Sequence, residues 1–314
     1  MTSQIKHVYG PVPSRRLGFS LGVDIIPYKT CTLDCIYCQL GPTSKKRGDR
    51  EEFFPESEIL DQIRSRIQSG SQIDYITFSG SGEPTLHQRI GRLIRSIKRM
   101  TGIPVAVLTN STTITSPQVR KELMAADLVV PSLDAATQAV FEKINRPLEG
   151  LHIQDIIQGL KTFNQDFKGA VWVEILLVKG VNDSDDHIRA LNKALNEIKP
   201  DKIQLNTVVR PPAEFFAKPL SFKELEHIQT LLSRKSEIIA DFGPKHQPAI
   251  SENLKESIAA LIRRRPVTLP DISSSLGMNK NEVIKYLNLL LNEKMIKTVQ
   301  FENKTYYEPG ENSS

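Results

Sequence analysis

Residues 22–38 read GVDIIPYKTCTLDCIYC, a short apolar segment followed by three cysteines in one loop. Residues 22–28 have the composition of a β-strand, and Cys31, Cys35 and Cys38 follow it directly. These are all the cysteines of the 314-residue chain. Because an odd number of thiols packed into so short a loop makes a poor disulfide framework, the loop predicts metal ligands in a reducing compartment.

The number of thiols indicates which kind of metal site the loop can form. A structural zinc ion usually takes four nitrogen or sulfur ligands in pairs, and the chain has no second pair of cysteines. A 4Fe–4S cluster has four irons, so three thiolates leave one iron open to another ligand. The loop therefore predicts an open iron–sulfur site. A zinc site that lacks one ligand, or a chance group of thiols, is the alternative.

Strands and helices alternate along the chain after this loop. Strands expected at residues 22–28, 74–79, 104–109, 128–133, 170–178 and 202–208 are separated by segments with apolar residues at helical spacing. Such alternation indicates parallel βα units, and six units are too few for a closed eight-stranded barrel. We therefore expect an α/β fold, a partial (β/α)6 TIM-like barrel over residues 1–243. Residues 10–18 (GPVPSRRLG) read as an irregular lead-in.

Small and polar residues occur where these strands end, which is where βα barrels place their active sites. The candidate active-site residues are Gly80, Gly82 and Glu83 after the second strand, Thr109 and Asn110 at the third, and Ser132 and Asp134 at the fourth. Asn110 and Asp134 have an alternative role as caps of the following helices. Glu174 is a further candidate if its strand face looks into the barrel, the alternative being an exposed strand end. Arg15 and Arg16 are candidates for meeting an anionic substrate.

The spacing of the three cysteines, with Tyr37 directly before the last of them, resembles the signature loop of the radical S-adenosylmethionine (SAM) enzymes. In that superfamily the open iron chelates the amino and carboxylate groups of SAM. An electron from the cluster then cleaves the sulfonium, which leaves methionine and a 5′-deoxyadenosyl radical. The turn at residues 79–84 (SGSGEP) is similar to a Gly-Gly-Glu turn of the superfamily, with Ser81 where a glycine often stands.

The resemblance implies a role for each candidate residue and an oxidoreductase or transferase activity. It implies that Cys31, Cys35 and Cys38 hold the cluster and that Gly82 and Glu83 hold the methionine ammonium of SAM. It implies that the remaining candidates contact other parts of SAM, including the ribose and the carboxylate: Tyr37, Gly80, Thr109, Asn110, Ser132, Asp134 and Glu174. An external electron donor such as a flavodoxin or a ferredoxin is the implied partner.

The lead-in and residues 141–147 (FEKINRP) and 204–212 (QLNTVVRPP) also resemble stand-alone radical enzymes that are loosely grouped with the tRNA wyosine synthases. This chain has no cysteines for the second cluster that wyosine synthases carry. An RNA or a peptide is the expected substrate. The alternatives are an activase of a glycyl-radical enzyme and, from another class, an iron–sulfur redox sensor that binds DNA. Glu83 favours the enzyme, because a sensor needs no acid that binds an ammonium group.

Residues 251–310 have a different pattern from the barrel. After a linker-like stretch at 241–248 (DFGPKHQP), the sequence predicts helices at 253–264, 269–276 and 279–295 and a hairpin at 298–308. This order is typical of a winged helix-turn-helix domain, with Asn279 as an N-cap. Nine basic and eight acidic residues follow position 250, so DNA binding is not favoured. We expect a docking module that can be removed without loss of SAM cleavage.

Composition indicates the cellular setting. The chain has 41 basic and 36 acidic residues, and the net charge of +5 neither requires nor excludes a nucleic-acid partner. No apolar run approaches the roughly 18 residues needed to span a bilayer. The amino terminus contains no apolar secretory segment. We therefore expect a cytoplasmic protein without a membrane partner.

Overall fold

The computed structural model describes residues 6–14, 16–232, 236–240, 254–278 and 280–311. Its main feature is an eight-stranded sheet in the order β1-β2-β5-β6-β7-β8-β9-β10. β1 is antiparallel to β2, and every later neighbouring pair is parallel. The strands are β1 Val8–Ser14, β2 Gly18–Val23, β5 Tyr75–Phe78, β6 Val105–Thr109, β7 Leu128–Pro131, β8 Ala170–Leu177, β9 Lys202–Thr207 and β10 Ser236–Ile238, with the short pair β3 Thr30–Cys31 and β4 Lys45–Lys46 outside the sheet.

Helices connect the parallel strands: α1 Glu56–Gln68, α2 Ile90–Met100, α3 Pro117–Leu123, α4 Gln138–Asn145, α5 Ile153–Asp166, α6 Asp185–Ile198 and α7 Phe222–Leu231. In α2, Ile90, Leu93, Ile94 and Ile97 recur at helical spacing and are fully buried. Among the strands that the structure describes, β10 does not pair with β1. The sheet is therefore open, which is consistent with a partial barrel. No described helix is long and apolar enough to cross a membrane.

The six predicted strands are present, but the first lies at Gly18–Val23 rather than at 22–28. The predicted irregular lead-in was wrong, because Val8–Ser14 forms the edge strand β1. An edge strand tolerates prolines such as Pro11, since one side of its backbone has no partner strand. The register of β1 also shifts between Tyr9 and Val12, which hides its alternating pattern. The three-residue strand β10 was not predicted, because it is too short to show a period.

Three aspartates join neighbouring strands at the amino-terminal edge of the sheet. Asp74, Asp127 and Asp201 directly precede β5, β7 and β9. Their carboxylates accept backbone N–H bonds from the adjacent strand: Phe19 to Asp74 at 2.7 Å, Val105 to Asp127 at 2.8 Å and Val171 to Asp201 at 2.8 Å. Each aspartate N–H also donates to the carbonyl of the same partner residue. These paired bonds fix the register of three parallel strand pairs.

The residues after position 253 form a second unit with its own apolar core. Its elements are α8 Leu254–Arg264, β11 Val267–Thr268, α9 Leu269–Leu276, α10 Lys280–Asn292, β12 Ile296–Phe301 and β13 Lys304–Pro309. The three strands form an antiparallel sheet in the order β11-β13-β12. The predicted helices and hairpin are therefore present. The predicted linker at 241–248 and the N-cap at Asn279 lie outside the described residues.

The second unit packs on β1 through α8 and α9. Arg264 pairs with Asp24 at 2.9 Å, and the two side chains are 11% and 10% exposed. Arg210, after β9, donates to the Pro266 carbonyl at 2.5 Å. The Tyr306 hydroxyl donates to the carbonyl of residue 209 at 2.8 Å. The second unit is therefore attached to the barrel by buried contacts as well as by the chain, and its removal without loss of SAM cleavage stays a prediction.

Replacing Asp201 with alanine should destabilise the barrel, because the N–H of the buried Val171 loses its acceptor. We expect the free energy of unfolding to fall by about 1.5 kcal/mol, as for other hydrogen bonds to charged groups. Urea denaturation measures this change. The control is Asp166→Ala at the exposed end of α5, which should change the value by less than about 0.5 kcal/mol. Equal stabilities of the two variants would show that the aspartate bonds contribute little.

Candidate active site

A cavity of about 1100 Å³ opens at the carboxyl ends of the parallel strands. Its walls include the three cysteines, the turn at residues 79–84 and the ends of β6 to β9. The second unit closes one side with Leu261, Arg264, Arg265 and Asp271. Small-molecule sites usually enclose about 300–1,000 Å³. The cavity therefore has room for a cofactor and for part of a second molecule.

Each cysteine sulfur accepts a hydrogen bond from a different part of the barrel. The donors are Asn110 Nδ2 to Cys31 Sγ at 3.3 Å, Asn145 Nδ2 to Cys35 Sγ at 3.3 Å, and Lys29 Nζ to Cys38 Sγ at 3.6 Å. N–H donors of this kind stabilise negative charge on sulfur, and they tune the reduction potential of an iron–sulfur cluster. The loop is therefore surrounded by groups that suit thiolate ligands.

Burial of the cysteine loop changes the protonation of its thiols. Burial, followed by the nearby Glu83 carboxylate, raises the pKa of the Cys31 thiol to about 12. Burial also raises the pKa of Cys35 well above its usual range, so thiolates here need a cationic partner. Within the described residues, no group of three Cys, His, Asp or Glu side chains could hold a single metal ion. Three thiols in one loop, each with an N–H donor beside its sulfur, fit a 4Fe–4S cluster that has one open iron.

The turn at residues 79–84 is hydrogen-bonded to Asp24 and to the start of the cysteine loop. Asp24 Oδ2 accepts hydrogen bonds from the N–H of Ser81 at 3.2 Å and from its hydroxyl at 2.6 Å. The Glu83 N–H donates to the Thr30 carbonyl at 3.1 Å. A Cβ added at Gly82 would lie 2.0 Å from the same carbonyl oxygen. Glycine is therefore required at position 82 for the contact between turn and loop.

Glu83 places its carboxylate at the cavity wall, where it is 2% exposed. One oxygen accepts bonds from the Thr85 N–H at 3.1 Å, the Thr85 hydroxyl at 2.5 Å and the Thr109 hydroxyl at 2.7 Å. The other oxygen accepts the Asn110 N–H at 2.7 Å. Burial raises the pKa of Glu83, and these hydrogen bonds oppose the rise. No Lys, Arg or His in the described ranges pairs with this carboxylate, which leaves its second oxygen able to meet a cationic ligand.

The other predicted site residues are divided between the cavity wall and the layer behind it. The wall contains Tyr37, Gly80, Thr109, Asn110, Ser132 and Glu174. Asp134 lies behind the wall, where it accepts the Tyr37 hydroxyl, Asn145 Nδ2 at 2.9 Å and the Leu176 N–H at 2.9 Å. Burial raises its pKa to about 6. Asp134 therefore supports Tyr37 and Asn145, and its contact with a cofactor stays a prediction.

Ser132 and Gly80 both line the cavity, but only Ser132 offers it a side-chain group. The Ser132 hydroxyl makes no hydrogen bond with any residue in the described part of the chain, so it is available to a ligand. Gly80 has a φ of +153°, and an added Cβ would lie 2.3 Å from the carboxyl carbon of Asp24. Glycine at position 80 is therefore required by the backbone, independently of any ligand.

Glu174 faces the cavity, so the inward orientation required for a binding role is present. It accepts hydrogen bonds from Arg16 Nη1 at 2.8 Å and from Asn206 Nδ2 at 2.7 Å. Arg16, predicted as a contact for an anionic substrate, is thus paired with a protein carboxylate. Arg15 lies outside the described residues. The contact between Glu174 and a ribose stays a prediction.

Sequence reasoning missed four residues that support the site: Asp24, Lys29, Asn145 and Arg264. Asn145 lies within residues 141–147 (FEKINRP), which the sequence analysis used only for a family resemblance. It is 110 positions from Cys35, whose sulfur it contacts. Arg264 belongs to the run Arg263–Arg265, the one basic run of the second unit. Neither spacing nor composition shows which of these side chains face the barrel.

Arg264 connects the second unit to the turn at 79–84 by two routes. Its ion-pair partner Asp24 holds Ser81. Its guanidinium carbon also lies 3.8 Å from the ring centroid of Tyr9, within the range of a cation–π contact. The Tyr9 hydroxyl is 2.9 Å from Ser79 Oγ. One side chain of the second unit therefore contacts both residues that support the turn.

Comparison with known proteins gives consistent matches along the chain. A family profile described as the radical SAM superfamily matches residues 25–191. A UPF0026 protein of Methanocaldococcus jannaschii is 33% identical over 308 residues, which cover 95% of this chain and 94% of that protein. A protein named GTPase Obg of Brachyspira hyodysenteriae is 36% identical over 91% of this chain, but the match spans only 42% of that protein. A probable dual-specificity RNA methyltransferase RlmN of Prochlorococcus marinus is 30% identical over 65% of this chain and 59% of that protein.

The fold also matches solved structures. A radical SAM methyltransferase from Sphaerobacter thermophilus superposes with a TM-score of 0.53 at 18% identity, covering 71% of this chain and 67% of that one. At this identity the likeness supports the fold alone. The family profile, by contrast, spans more than half of the chain, and the UPF0026 protein matches nearly all of it. The chain belongs to the radical SAM superfamily, whose enzymes use a 4Fe–4S cluster and SAM.

Proposed function

We propose that this enzyme cleaves SAM reductively and uses the 5′-deoxyadenosyl radical to abstract a hydrogen atom from a substrate in the cavity between the barrel and the second unit. The observation that carries the proposal is the cavity itself, which brings three cysteine thiols and the Glu83 carboxylate to one place. When bound by Cys31, Cys35 and Cys38, a 4Fe–4S cluster would supply the electron for the cleavage.

The residues of the cavity wall would bind and orient SAM. The Glu83 carboxylate suits the methionine ammonium, because a charge-assisted hydrogen bond is strong in a buried site. The free hydroxyl of Ser132 suits a ribose hydroxyl or the carboxylate of SAM. Asn110 contacts both Glu83 and Cys31, so it would hold the ammonium site and the cysteine loop at a constant distance.

The second unit is proposed to be a winged helix domain that positions the substrate. Its order of elements and its β11-β13-β12 sheet support this proposal. We favour an RNA substrate over a peptide, because one relative is named as an RNA methyltransferase. An external flavodoxin or ferredoxin would deliver the electron.

Methylation of RNA is a second candidate reaction, which the same relative favours. All cysteines of this chain lie between positions 31 and 38, so the sequence contains no further cysteine that could carry a methyl group. Hydrogen abstraction remains the primary proposal.

Anaerobic reconstitution with iron and sulfide, followed by reduction in the presence of SAM, tests the proposed function. Chromatography should detect 5′-deoxyadenosine and methionine, and the addition of total RNA should increase both more than the addition of a peptide mixture does. Release of S-adenosylhomocysteine would instead indicate methyl transfer. Fully reconstituted protein that releases no 5′-deoxyadenosine would contradict the proposal.

Changing Cys35 to alanine should abolish both the brown absorbance of the cluster and the cleavage of SAM. The three thiolates form one site, so the loss of one removes the binding of the whole cluster. Iron content and 5′-deoxyadenosine release measure the two effects. Gln39→Ala, an exposed neighbour in the same loop, should retain both properties. Full iron content and turnover in Cys35→Ala would remove the cluster from this loop.

Glu83→Gln should weaken SAM binding at least tenfold, or about 1.4 kcal/mol, because the charge that meets the ammonium is lost. Most of the cluster should still assemble, since Asn110 keeps its bonds to Thr32 and Thr112. Equilibrium dialysis with labelled SAM measures the affinity, and iron analysis measures the cluster. The control is Glu142→Gln on the exposed side of α4. If Glu83→Gln binds SAM as tightly as this control does, Glu83 is not part of the SAM site.

Arg264→Gln should weaken SAM binding by roughly three- to tenfold, because the buried Asp24 carboxylate loses its cation and the turn loses a support. Iron content should stay unchanged, since Arg264 does not contact the cysteines. The matched control is the neighbouring Arg263→Gln, which leaves the Asp24 pair intact. An unchanged SAM affinity in Arg264→Gln would mean that the second unit does not influence the turn.

A further inference from the structure

Three arginines line the cavity where the second unit meets the barrel: Arg210 after β9, and Arg264 and Arg265 at the end of α8. We call these three residues the arginine wall. Asp24 pairs with Arg264 at 2.9 Å, and Asp271 pairs with Arg210 at 3.4 Å. Arg265 forms no hydrogen bond or ion pair with any residue that the structure describes. The arginine wall therefore has one more guanidinium group than it has carboxylate partners.

The arginine wall also contains donors that the protein leaves unused. The Nε atoms of Arg210 and Arg264 are buried and have no hydrogen-bond partner in the described residues. Burial, followed by the nearby Arg210, lowers the pKa of Arg265 to about 10. Unpaired buried donors and neighbouring like charges are both unfavourable, and an anion between the guanidinium groups would relieve both.

The other cations that line the cavity already have partners. Arg16 pairs with Glu174 at 2.8 Å, and Lys202 lies 4.0 Å from Glu237. Lys29 donates to the Cys38 sulfur and to the Gly41 carbonyl. In the described lining, Arg265 is therefore the cation that has no hydrogen-bond or ion-pair partner.

We propose that the arginine wall binds a phosphate group of the substrate, with Arg210 and Arg265 as its main contacts. The inference rests on the proposed function, which places the substrate in this cavity. Guanidinium groups bind phosphate through paired N–H donors. A tetrahedral phosphate offers oxygens to several guanidinium groups at once, whereas a planar carboxylate presents two oxygens in one plane. SAM contains no phosphate, so a phosphate-bearing substrate is the class that fits. With the RNA substrate of the proposed function, this is a nucleotide, free or within RNA.

Calorimetric titration of the reconstituted full-length protein with SAM bound tests this site. The probes are inorganic phosphate, adenosine 5′-monophosphate and a short RNA oligonucleotide, all at one ionic strength. Phosphate should bind saturably, and Arg265→Gln should weaken its binding at least tenfold. Arg265→Lys, which keeps the charge but loses the paired donors, should lie between Arg265→Gln and the unmodified protein. The matched control, Arg263→Gln, does not line the cavity and should bind phosphate normally.

Three results would overturn the proposal. They are the absence of saturable phosphate binding, equal phosphate affinity in Arg265→Gln and Arg263→Gln, and tighter binding of acetate or of an acidic peptide than of phosphate. The two nucleotide probes distinguish the source of the phosphate. RNA that loses affinity in Arg265→Gln by the same factor as phosphate supports a polynucleotide, whereas binding of the mononucleotide alone supports a free nucleotide.

SAM binding and substrate-free release of 5′-deoxyadenosine are measured on the same samples. Normal values in Arg265→Gln, together with weakened phosphate binding, support a phosphate site separate from the SAM site. A loss of SAM affinity in Arg265→Gln would mean that this arginine meets the SAM carboxylate, which would overturn the inference. If neither the unmodified protein nor any variant cleaves SAM but phosphate still binds, the proposed function is contradicted. The phosphate site is then still supported.

Discussion

The active-site end of the molecule depends on the ion pair and the hydrogen bonds that the buried Asp24 carboxylate makes. It accepts two hydrogen bonds from Ser81 and pairs with Arg264 of the second unit. Removing a carboxylate from water is costly unless donors and a cation surround it. The end of β2, the turn after β5 and the last residue of α8 are therefore held in one arrangement. The lack of a side chain at Gly80 is part of the same constraint, because a Cβ there would overlap Asp24.

A second network holds the cysteine loop from the opposite side. Asp134 accepts bonds from Tyr37 and from Asn145, and Asn145 also donates to the Cys35 sulfur. Asn110 connects this loop to Glu83 through its backbone and side-chain N–H groups. The positions of the thiols and of the Glu83 carboxylate are thus linked through hydrogen bonds. Radical chemistry needs such positioning, because a small displacement of the reacting groups lowers the rate strongly.

The barrel and the second unit together form the walls of the active-site cavity. The barrel contributes the cysteines and Glu83, and the second unit contributes Leu261, Arg264, Arg265 and Asp271. A winged helix attached only by a linker would bring a substrate near the barrel without shaping its site. Here the second unit forms a wall of the cavity, and Arg264 connects it through Asp24 to the turn at residues 79–84.

The sequence by itself determined the features that depend on neighbouring residues. The strand periods, the cysteine spacing and the placement of Glu83 after a strand are local, and they were enough to predict the parallel sheet and the residues grouped at its edge. Tertiary structure decided what depends on distant partners. β1 became a strand because β2 offers an edge, and Asp134 became a support because Tyr37 and Asn145 use its oxygens. Arg264 reaches Asp24 across 240 positions of sequence. No local pattern encodes such a pair, because burial and charge compensation arise only when the folded chain brings the two groups out of water together.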